Sequence, residues 1–493
     1  MKIAFFLPII VAALVVASGV QAEIPAPTMA PTLRAVDLKI GESTAVTLAD
    51  GSTAVVKLLD VQEAVDSMSK AVREAKVEVE VNGKHAWLTS ANYNLPQTVG
   101  GVQIDCPITR GYKANSTEDS WGLLKDARLR LWPAGSPWVE PGTFVYPLKQ
   151  RWFATMTQFS NEPTYVDGGD KPDRKKIYYH NDLDFGGCEG LVEVVAATDG
   201  LVVSVSNSTL PDFEATPVRP RYDVVYVLDD RGWFYRYSHL HTIDPEIRKG
   251  TRVKMGQRIG ILGKEGASGG WSHLHFGIKS RQPSGAWGTQ EAYAFVWEAY
   301  LREQKPALIA VARPHRFIRV GEKTTLDASK SWAASGKIAG YDWTFTDGSK
   351  ASGANLERTY ARPGSYSEVV KVTDDSGHAS YDFAIVQVIG EDEKNIPPAI
   401  HPSFSPTMNL KPGDNITFKV RTFRDRGGET WNFGDGSPMV NVQSDGNAKA
   451  LAKDGYAITQ HAFAKAGDYI VKVEHTNERG ESAVGHLWVR VDP

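Results

Sequence analysis

Residues 271–276 read Trp-Ser-His-Leu-His-Phe, and this short stretch decides how the middle of the chain folds. The alternation predicts a β-strand, because successive side chains of a strand point to opposite faces. His273 and His275 then share one face, while Leu274 and Phe276 face the core. Two imidazoles side by side repel each other if both are charged, and a shared metal ion gives a reason for the pair. We therefore predict a metal site on this strand.

A second pair stands upstream, where residues 180–184 read His-Asn-Asp-Leu-Asp. On a strand, residues four apart lie on the same face, so His180 and Asp184 would point the same way. Nitrogen and oxygen ligands of this kind suit a zinc-type ion. Taken alone the pair is weak evidence, because a His with an Asp four residues later is more often a surface salt bridge.

Two other metal-binding families that use His-x-His are excluded by the neighbouring residues. A cupin would need Glu a few residues after the second His, where this chain has Gly277, Ile278 and Lys279. The D-Ala-D-Ala carboxypeptidase pattern would need Glu three residues before the first His, where this chain has Gly270.

A third element connects the two pairs. Residues 236–241 read Arg-Tyr-Ser-His-Leu-His, residues 250–260 follow the pattern Gly-x-x-Val-x-x-Gly-Gln-x-Ile-Gly, and a glycine-rich turn leads to His-Leu-His-Phe. In order, spacing and flanking residues, the stretch 179–278 resembles the lysostaphin-type (LytM-like) zinc metallopeptidases.

The resemblance implies a role for each of five residues. His180, Asp184 and His275 would hold one zinc ion, leaving a fourth position open for water as in other catalytic zinc sites. His239 and His273 would be the catalytic pair, one accepting a proton from that water while the other stabilises the oxyanion of the intermediate. The sequence does not decide which histidine performs which step.

Two nearby residues fall outside the family pattern. Asp182 stands where the family usually has Gly, and its carboxylate could lie near the metal or face solvent. His241 shares a strand face with His239 but has no counterpart in the family, so we expect it to be exposed to solvent.

The last third of the chain contains an internal repeat. Residues 341–349 (Tyr-Asp-Trp-Thr-Phe-Thr-Asp-Gly-Ser) are echoed by residues 430–437 (Thr-Trp-Asn-Phe-Gly-Asp-Gly-Ser). Alternating aromatic residues with Asp-Gly turns are typical of β-sandwich modules. Both copies resemble polycystic-kidney-disease (PKD) domains, an immunoglobulin-like family, although the first copy has Thr346 where Gly is usual.

The N-terminus predicts export. Lys2 precedes an apolar run at residues 5–17 and a small-residue cleavage site ending at Ala22, which is the pattern of a signal peptide. We therefore expect a secreted or periplasmic protein that begins at Glu23. No later stretch is long and apolar enough for an integral membrane segment.

These patterns predict a mainly β chain. The predicted parts are a signal peptide at 1–22, a β-rich accessory domain at 23–142, a lysostaphin-type peptidase domain at 143–285, a helical connector at 286–305, and PKD-like domains at 306–391 and 397–493. Within the accessory domain we expect strands at 45–48, 54–59, 77–81 and 127–131, and a helix at 61–75. In the connector we expect a helix at 290–303 with Tyr293, Trp297 and Leu301 on one face.

The two cysteines of the 493-residue chain, Cys106 and Cys188, leave three states open. A disulfide between them would suit an oxidising compartment. Two separate buried thiols are the plain alternative. In a third state, Cys106 would occupy the open zinc position, since thiolate is a good zinc ligand.

The function predicted from these features is that of an exported zinc metalloendopeptidase acting on peptide cross-links of peptidoglycan. One alternative is a catalytically inactive regulator or wall-binding protein on the same scaffold, and another is an enzyme that cleaves ordinary proteins. We expect the PKD domains to bind polysaccharide or protein. A net charge of -3 argues against nucleic acid as a partner.

Overall fold

A computed structural model describes residues 24–114, 116–162, 177–392 and 395–493. Strands account for 46% of the described residues and helices for 4%, so the predicted mainly β class is confirmed. Within the described residues, every helix falls short of the length and apolarity needed to cross a membrane. The predicted signal peptide at 1–22 lies outside the described residues.

The N-terminal part is built from two four-stranded sheets, with strand orders β1-β8-β7-β6 and β2-β3-β4-β5. A shared core of buried aliphatic side chains, including Val56, Val79 and Leu129, joins them. The four strands expected here are present. The elements are β1 (Arg34–Leu38), β2 (Ser43–Thr47), β3 (Thr53–Val65), β4 (Val72–Val81), β5 (Lys84–Thr89), β6 (Gln97–Val99), β7 (Val102–Thr109), α1 (Gly111–Ala114) and β8 (Ala127–Pro133).

The prediction of a helix at 61–75 is wrong, because this stretch is a β-hairpin made by β3 and β4. Val61 lies opposite Val77 in the antiparallel register. The turn is held by Asp66, whose Oδ1 accepts hydrogen bonds from the backbone N–H groups of Met68 and Ser69 at 3.0 and 2.7 Å. An aspartate that binds the backbone two and three residues later favours a turn over a continuing helix.

The predicted peptidase domain, called the peptidase part below, centres on a nine-stranded sheet whose main path is β13-β12-β14-β15-β19-β10-β9, with a three-stranded sheet β11-β18-β16 beside it. A single 3-10 turn, Pro211–Phe213, interrupts the described strands. The strands are β9 (Thr157–Gln158), β10 (Leu183–Gly186), β11 (Glu193–Val195), β12 (Gly200–Val205), β13 (Ser208–Thr209), β14 (Val225–Leu228), β15 (Phe234–Ser238), β16 (Leu240–Ile243), β17 (Arg252–Val253), β18 (Arg258–Leu262), β19 (His273–Arg281) and β20 (Trp287–Thr289).

The predicted connector helix is present as α2 (Tyr293–Gln304). Tyr293 and Trp297 are buried in the same core as the apolar face of β19, and Leu301 packs at its edge. The helix ends at Lys305, which takes a left-handed conformation with φ of 46°. Pro306 follows, so the chain cannot continue the helix.

The two repeat units form β-sandwich modules, each built around one tryptophan of the repeat. Trp343 and Trp431 are 1% and 0% exposed and lie at equivalent places in their cores. The first module contains β21 (Leu308–Ile309), β22 (Arg316–Arg319), β23 (Lys323–Asp327), β24 (Trp332–Ala333), β25 (Ile338–Thr344), β26 (Lys350–Ser352), β27 (Asn355–Thr359), β28 (Gly364–Asp374) and β29 (Ala379–Ile389). The second contains β30 (Ala399–Ser405), β31 (Ile416–Phe423), β32 (Glu429–Asn432), β33 (Val440–Val442), β34 (Ala457–His461), β35 (Gly467–Thr476) and β36 (Ser482–Val491).

A continuous sheet joins the two modules. Gly364 of β28 pairs with Ser482 of β36 in parallel register, so the path runs β22-β29-β28-β36-β35-β32-β33 through both. The two modules are therefore packed against each other through this shared sheet.

Candidate metal centre

Two antiparallel strands bring the predicted site residues together. Asp184 of β10 lies directly opposite His275 of β19, and the register places Gly186 opposite His273. Leu274 and Phe276 are fully buried in the core on the other face of β19. The alternation predicted for this strand is therefore confirmed.

The strand expected at 180–184 is present only in its second half. β10 begins at Leu183, and the chain bends at Asp182, so His180 lies ahead of the strand. The imidazole nevertheless reaches Asp184.

Three side chains converge on one point. Nε2 of His180 lies 3.0 Å from Oδ1 of Asp184, and Nδ1 of His275 lies 2.8 Å from the same oxygen. The two ring nitrogens are 3.1 Å apart. The three side chains are between 2% and 6% exposed. Two imidazole nitrogens and one carboxylate oxygen that share a point are the donor set that zinc takes, so these residues could hold a metal ion.

The carboxylate of this group is ionised. Burial alone would raise the pKa of Asp184, but the surrounding imidazoles of His180, His273 and His275 lower it well below its usual range. A deprotonated carboxylate is the protonation state that a metal ion requires of this ligand.

His239 lies beside the triad in a fixed orientation. It follows β15 with a left-handed φ of 67°, and its backbone N–H donates to Oδ2 of Asp223 at 2.9 Å. Its ring Nδ1 is 2.5 Å from the carbonyl of Glu265. Nη2 of Arg221, which can only donate, is farther away at 3.2 Å. Because the closer carbonyl only accepts, Nδ1 carries the proton and Nε2 keeps its lone pair. Burial lowers the pKa of His239, so the ring is neutral and able to accept a proton.

His273 completes the group. Its ring centroid lies 4.6 Å from that of His239, and its Nε2 lies 3.3 Å from Oδ2 of Asp184. Nδ1 lies 3.1 Å from the carbonyl of Trp271, whose indole stacks on the imidazole at 3.9 Å and 18°. Burial lowers the pKa of His273 well below its usual range.

The sequence left the place of Asp182 open, and the structure puts it against the candidate metal site. Its Oδ2 lies 3.1 Å from Nε2 of His275, and its Oδ1 lies 3.1 Å from Nζ of Lys279. Burial would raise the pKa of Asp182, but Lys279 and His275 lower it to about 2. Gly277 makes the room, since a Cβ built there would collide with this carboxylate.

Three further polar residues of the site escaped the sequence analysis: Asp223, Arg236 and Lys279. Arg236 of β15 lies opposite Gly277 of β19, and Nη1 of Arg236 is 3.3 Å from Nε2 of His275. The only available signal was the position of Lys279, which shares a face of β19 with His273 and His275. His241 is exposed, as expected.

Of the three states left open for Cys106 and Cys188, the structure has two free, buried thiols and no disulfide between them. They belong to different cores, Cys106 to the N-terminal part and Cys188 to the peptidase part. Cys106 is also outside the candidate metal group of the described residues, and its thiol lies 3.5 Å from the carbonyl of Ile108.

Three stretches of the chain match known family models. Residues 178–285 match Peptidase family M23, and residues 305–388 and 403–486 each match the PKD domain. The five site residues all fall within the first match. The domain limits given from the sequence stay a prediction, although the three matches lie inside or within one residue of the corresponding parts.

Solved structures resemble parts of the chain only distantly. Csd3 of Helicobacter pylori is 14% identical, with 50% of this chain and 82% of that chain covered and a TM-score of 0.19. The fibronectin(III)-like modules of CbhA from Clostridium thermocellum are 12% identical, with 36% of this chain and 90% of that chain covered and a TM-score of 0.16.

Proposed function

Because the chain carries a peptidase domain of family M23 followed by two PKD domains, we propose that it is an exported zinc metalloendopeptidase that cleaves peptide cross-links of peptidoglycan. The observation that carries the proposal is the convergence of His180, Asp184 and His275, with His239 and His273 beside them.

His180, Asp184 and His275 would hold the zinc ion, since their donor set and burial fit it. When bound, the ion would serve as a Lewis acid toward the scissile carbonyl and toward water. The surrounding protein excludes bulk solvent, which strengthens every electrostatic interaction in the site.

His239 and His273 would move the protons of the reaction. Both rings are neutral, and each is held at Nδ1 by a backbone carbonyl, that of Glu265 or Trp271. Nε2 of each ring would exchange protons with the attacking water and the leaving amine. In the structure, Nε2 of His273 lies 3.3 Å from Oδ2 of Asp184. Whichever ring is protonated in between would stabilise the oxyanion.

Export is part of the proposal. It is supported by the signal-peptide pattern that ends at Ala22, and a secreted or periplasmic location would bring the site to the cell wall. Partners of the PKD domains would be polysaccharide or protein. The presence of all five site residues favours an enzyme over an inactive regulator on the same scaffold.

Digestion of purified peptidoglycan tests the proposal, with products identified by mass spectrometry and casein as the protein alternative. We expect new amino termini in the wall peptides, loss of cleavage with a chelator, recovery with zinc, and little cleavage of casein. Cleavage of casein without cleavage of peptidoglycan would mean that the substrate is an ordinary protein. Absence of cleavage with bound zinc would support the regulator instead.

A further inference from the structure

We propose that the second PKD domain is a built-in part of the catalytic site, which positions His273 through the loop at 269–272. The inference rests on the proposed function of His273. It differs from a tethering role, because a module that only carries the enzyme to its substrate needs no contact with the site.

The loop at 269–272 immediately precedes His273 and is held by side chains of the second PKD domain. Three hydrogen bonds span the interface: Tyr456 Oη accepts from the N–H of Ser272 at 2.8 Å, Arg421 Nη1 donates to the carbonyl of Gly270 at 2.5 Å, and Asn447 Nδ2 donates to the carbonyl of Gly269 at 3.1 Å. Arg421 and Tyr456 are 0% and 4% exposed, so water does not compete for the first two of these bonds.

The shape of the loop is matched to its partner. Gly270 has a φ of 87°, which side chains other than glycine rarely adopt, and a Cβ built there would collide with Asn447. Residues 269 and 270 are both glycines with positive φ, so their backbone has little conformational preference of its own. Contacts from the second PKD domain therefore help to fix this loop, together with the hydrogen bond from the N–H of Gly270 to Oγ of Ser268 at 3.1 Å.

Trp271 connects the loop at 269–272 to His273. One face of its indole stacks on His273, and its ring also meets His401 of the second PKD domain at 5.3 Å in a T-shaped contact. The Trp271 carbonyl lies 3.1 Å from Nδ1 of His273. Trp271 thus orients the imidazole from the Nδ1 side and from one face, while Asp184 lies 3.3 Å from Nε2 on the other side.

Tyr456 contacts both sides of the interface between the loop and the second PKD domain. Its hydroxyl accepts from Ser272 and lies 2.8 Å from Nδ1 of His401. Burial lowers the pKa of His401 to about 3, so this imidazole is neutral. A hydrogen-bond chain from Ser272 through Tyr456 to His401 holds the hydroxyl in one rotamer. We assign Tyr456 as a positioning residue for His273.

The interface continues beyond the loop, which shows that the second PKD domain is docked broadly on the peptidase part. Lys419 donates to the carbonyl of Glu189 at 2.7 Å. The backbone N–H of Arg151 donates to Oγ1 of Thr407 at 2.9 Å.

The test is Tyr456→Phe in the full-length protein, because it removes both hydroxyl contacts and keeps the ring. We expect kcat on peptidoglycan to fall about tenfold with KM and zinc content unchanged, since a small misplacement of a catalytic group lowers the rate without weakening binding. The imidazole resonances of His273, assigned by their absence in His273→Ala, should shift as Trp271 moves.

Tyr469→Phe is the matched control, because that hydroxyl only donates to the exposed carbonyl of Lys465 in the same domain. It should leave kcat and the His273 resonances as they are. Asn447→Ala is the milder second variant if Tyr456→Phe unfolds, and we expect a smaller fall in kcat with the same shift.

A variant whose kcat and His273 resonances match those of the unaltered protein would overturn the inference. A rise in KM alone would do so too, because it would assign the domain to substrate placement. If the unaltered protein cleaves nothing, the proposed function fails, while the resonance comparison still decides whether Tyr456 positions His273.

Discussion

The Asp182 carboxylate lies 3.1 Å from Nε2 of His275, at the opposite end of the imidazole from Asp184. If His275 and Asp184 hold a metal ion as proposed, Nδ1 faces the ion, so Nε2 would carry the hydrogen and donate it to Asp182, which is ionised and can only accept. Nη1 of Arg236 is also near Nε2, at 3.3 Å. Because both groups would then be donors, they would not form a hydrogen bond with each other. A carboxylate behind a histidine is a common way to orient a metal ligand.

Removal of this carboxylate should weaken metal binding. We expect Asp182→Ala to bind zinc about 10- to 100-fold more weakly, and Asp182→Asn to lose less, because its amide oxygen can still accept from Nε2. Competition with a chromophoric chelator measures the affinity. Asp199→Ala is the control, since Asp199 is exposed in the same domain. Equal affinities of the Asp182 variants and this control would show that His275 needs no such support.

Two substitutions should separate metal binding from proton transfer. Asp184→Ala removes a carboxylate on which two imidazoles converge, and we expect the purified variant to lack zinc. His273→Ala should keep a near-normal zinc content and lose hydrolysis. Elemental analysis and a peptidoglycan digest on the same preparations measure both. Loss of zinc in His273→Ala, or normal cleavage by either variant, would reverse the assignment of roles.

The absence of a side chain at Gly277 should matter for stability. A methyl group there would collide with the Asp182 carboxylate between two paired strands, so we expect Gly277→Ala to lose about 1–3 kcal/mol of the free energy of unfolding. Thermal unfolding measures the change. Gly340→Ala is the matched control, because that position, also in a strand, has nothing within 4 Å of a built Cβ. Equal melting temperatures of the two variants would mean that Asp182 moves aside freely.

Local patterns predicted the parts of the site that depend on one strand. The alternation at 273–276 placed both histidines on one face, since a strand repeats every two residues whatever its surroundings. The same reasoning failed at 61–75, where apolar spacing suited a helix. There the hydrogen bonds of Asp66 and the pairing of Val61 with Val77 decide the structure.

Contacts between distant parts of the chain had no local signal. Tyr456 meets Ser272 across 184 residues, and neither the repeat nor the peptidase pattern indicates that their domains touch. The packing of Asp182 against Gly277 is similar, because each residue is unremarkable until the antiparallel register brings β10 and β19 together. Such pairs follow from the fold as a whole.

The two cysteines should behave as unreactive free thiols. Burial raises the pKa of Cys106 to about 12 and that of Cys188 to about 11. Only thiolate reacts, so at pH 8 about one thiol in a thousand or fewer is reactive, and the reactive fraction grows as pH rises toward these values. We expect Ellman's reagent to react slowly with the native protein and to titrate two thiols in guanidinium chloride without reductant. Protein recovered from outside the cell that yields no thiol in denaturant would instead contain a disulfide.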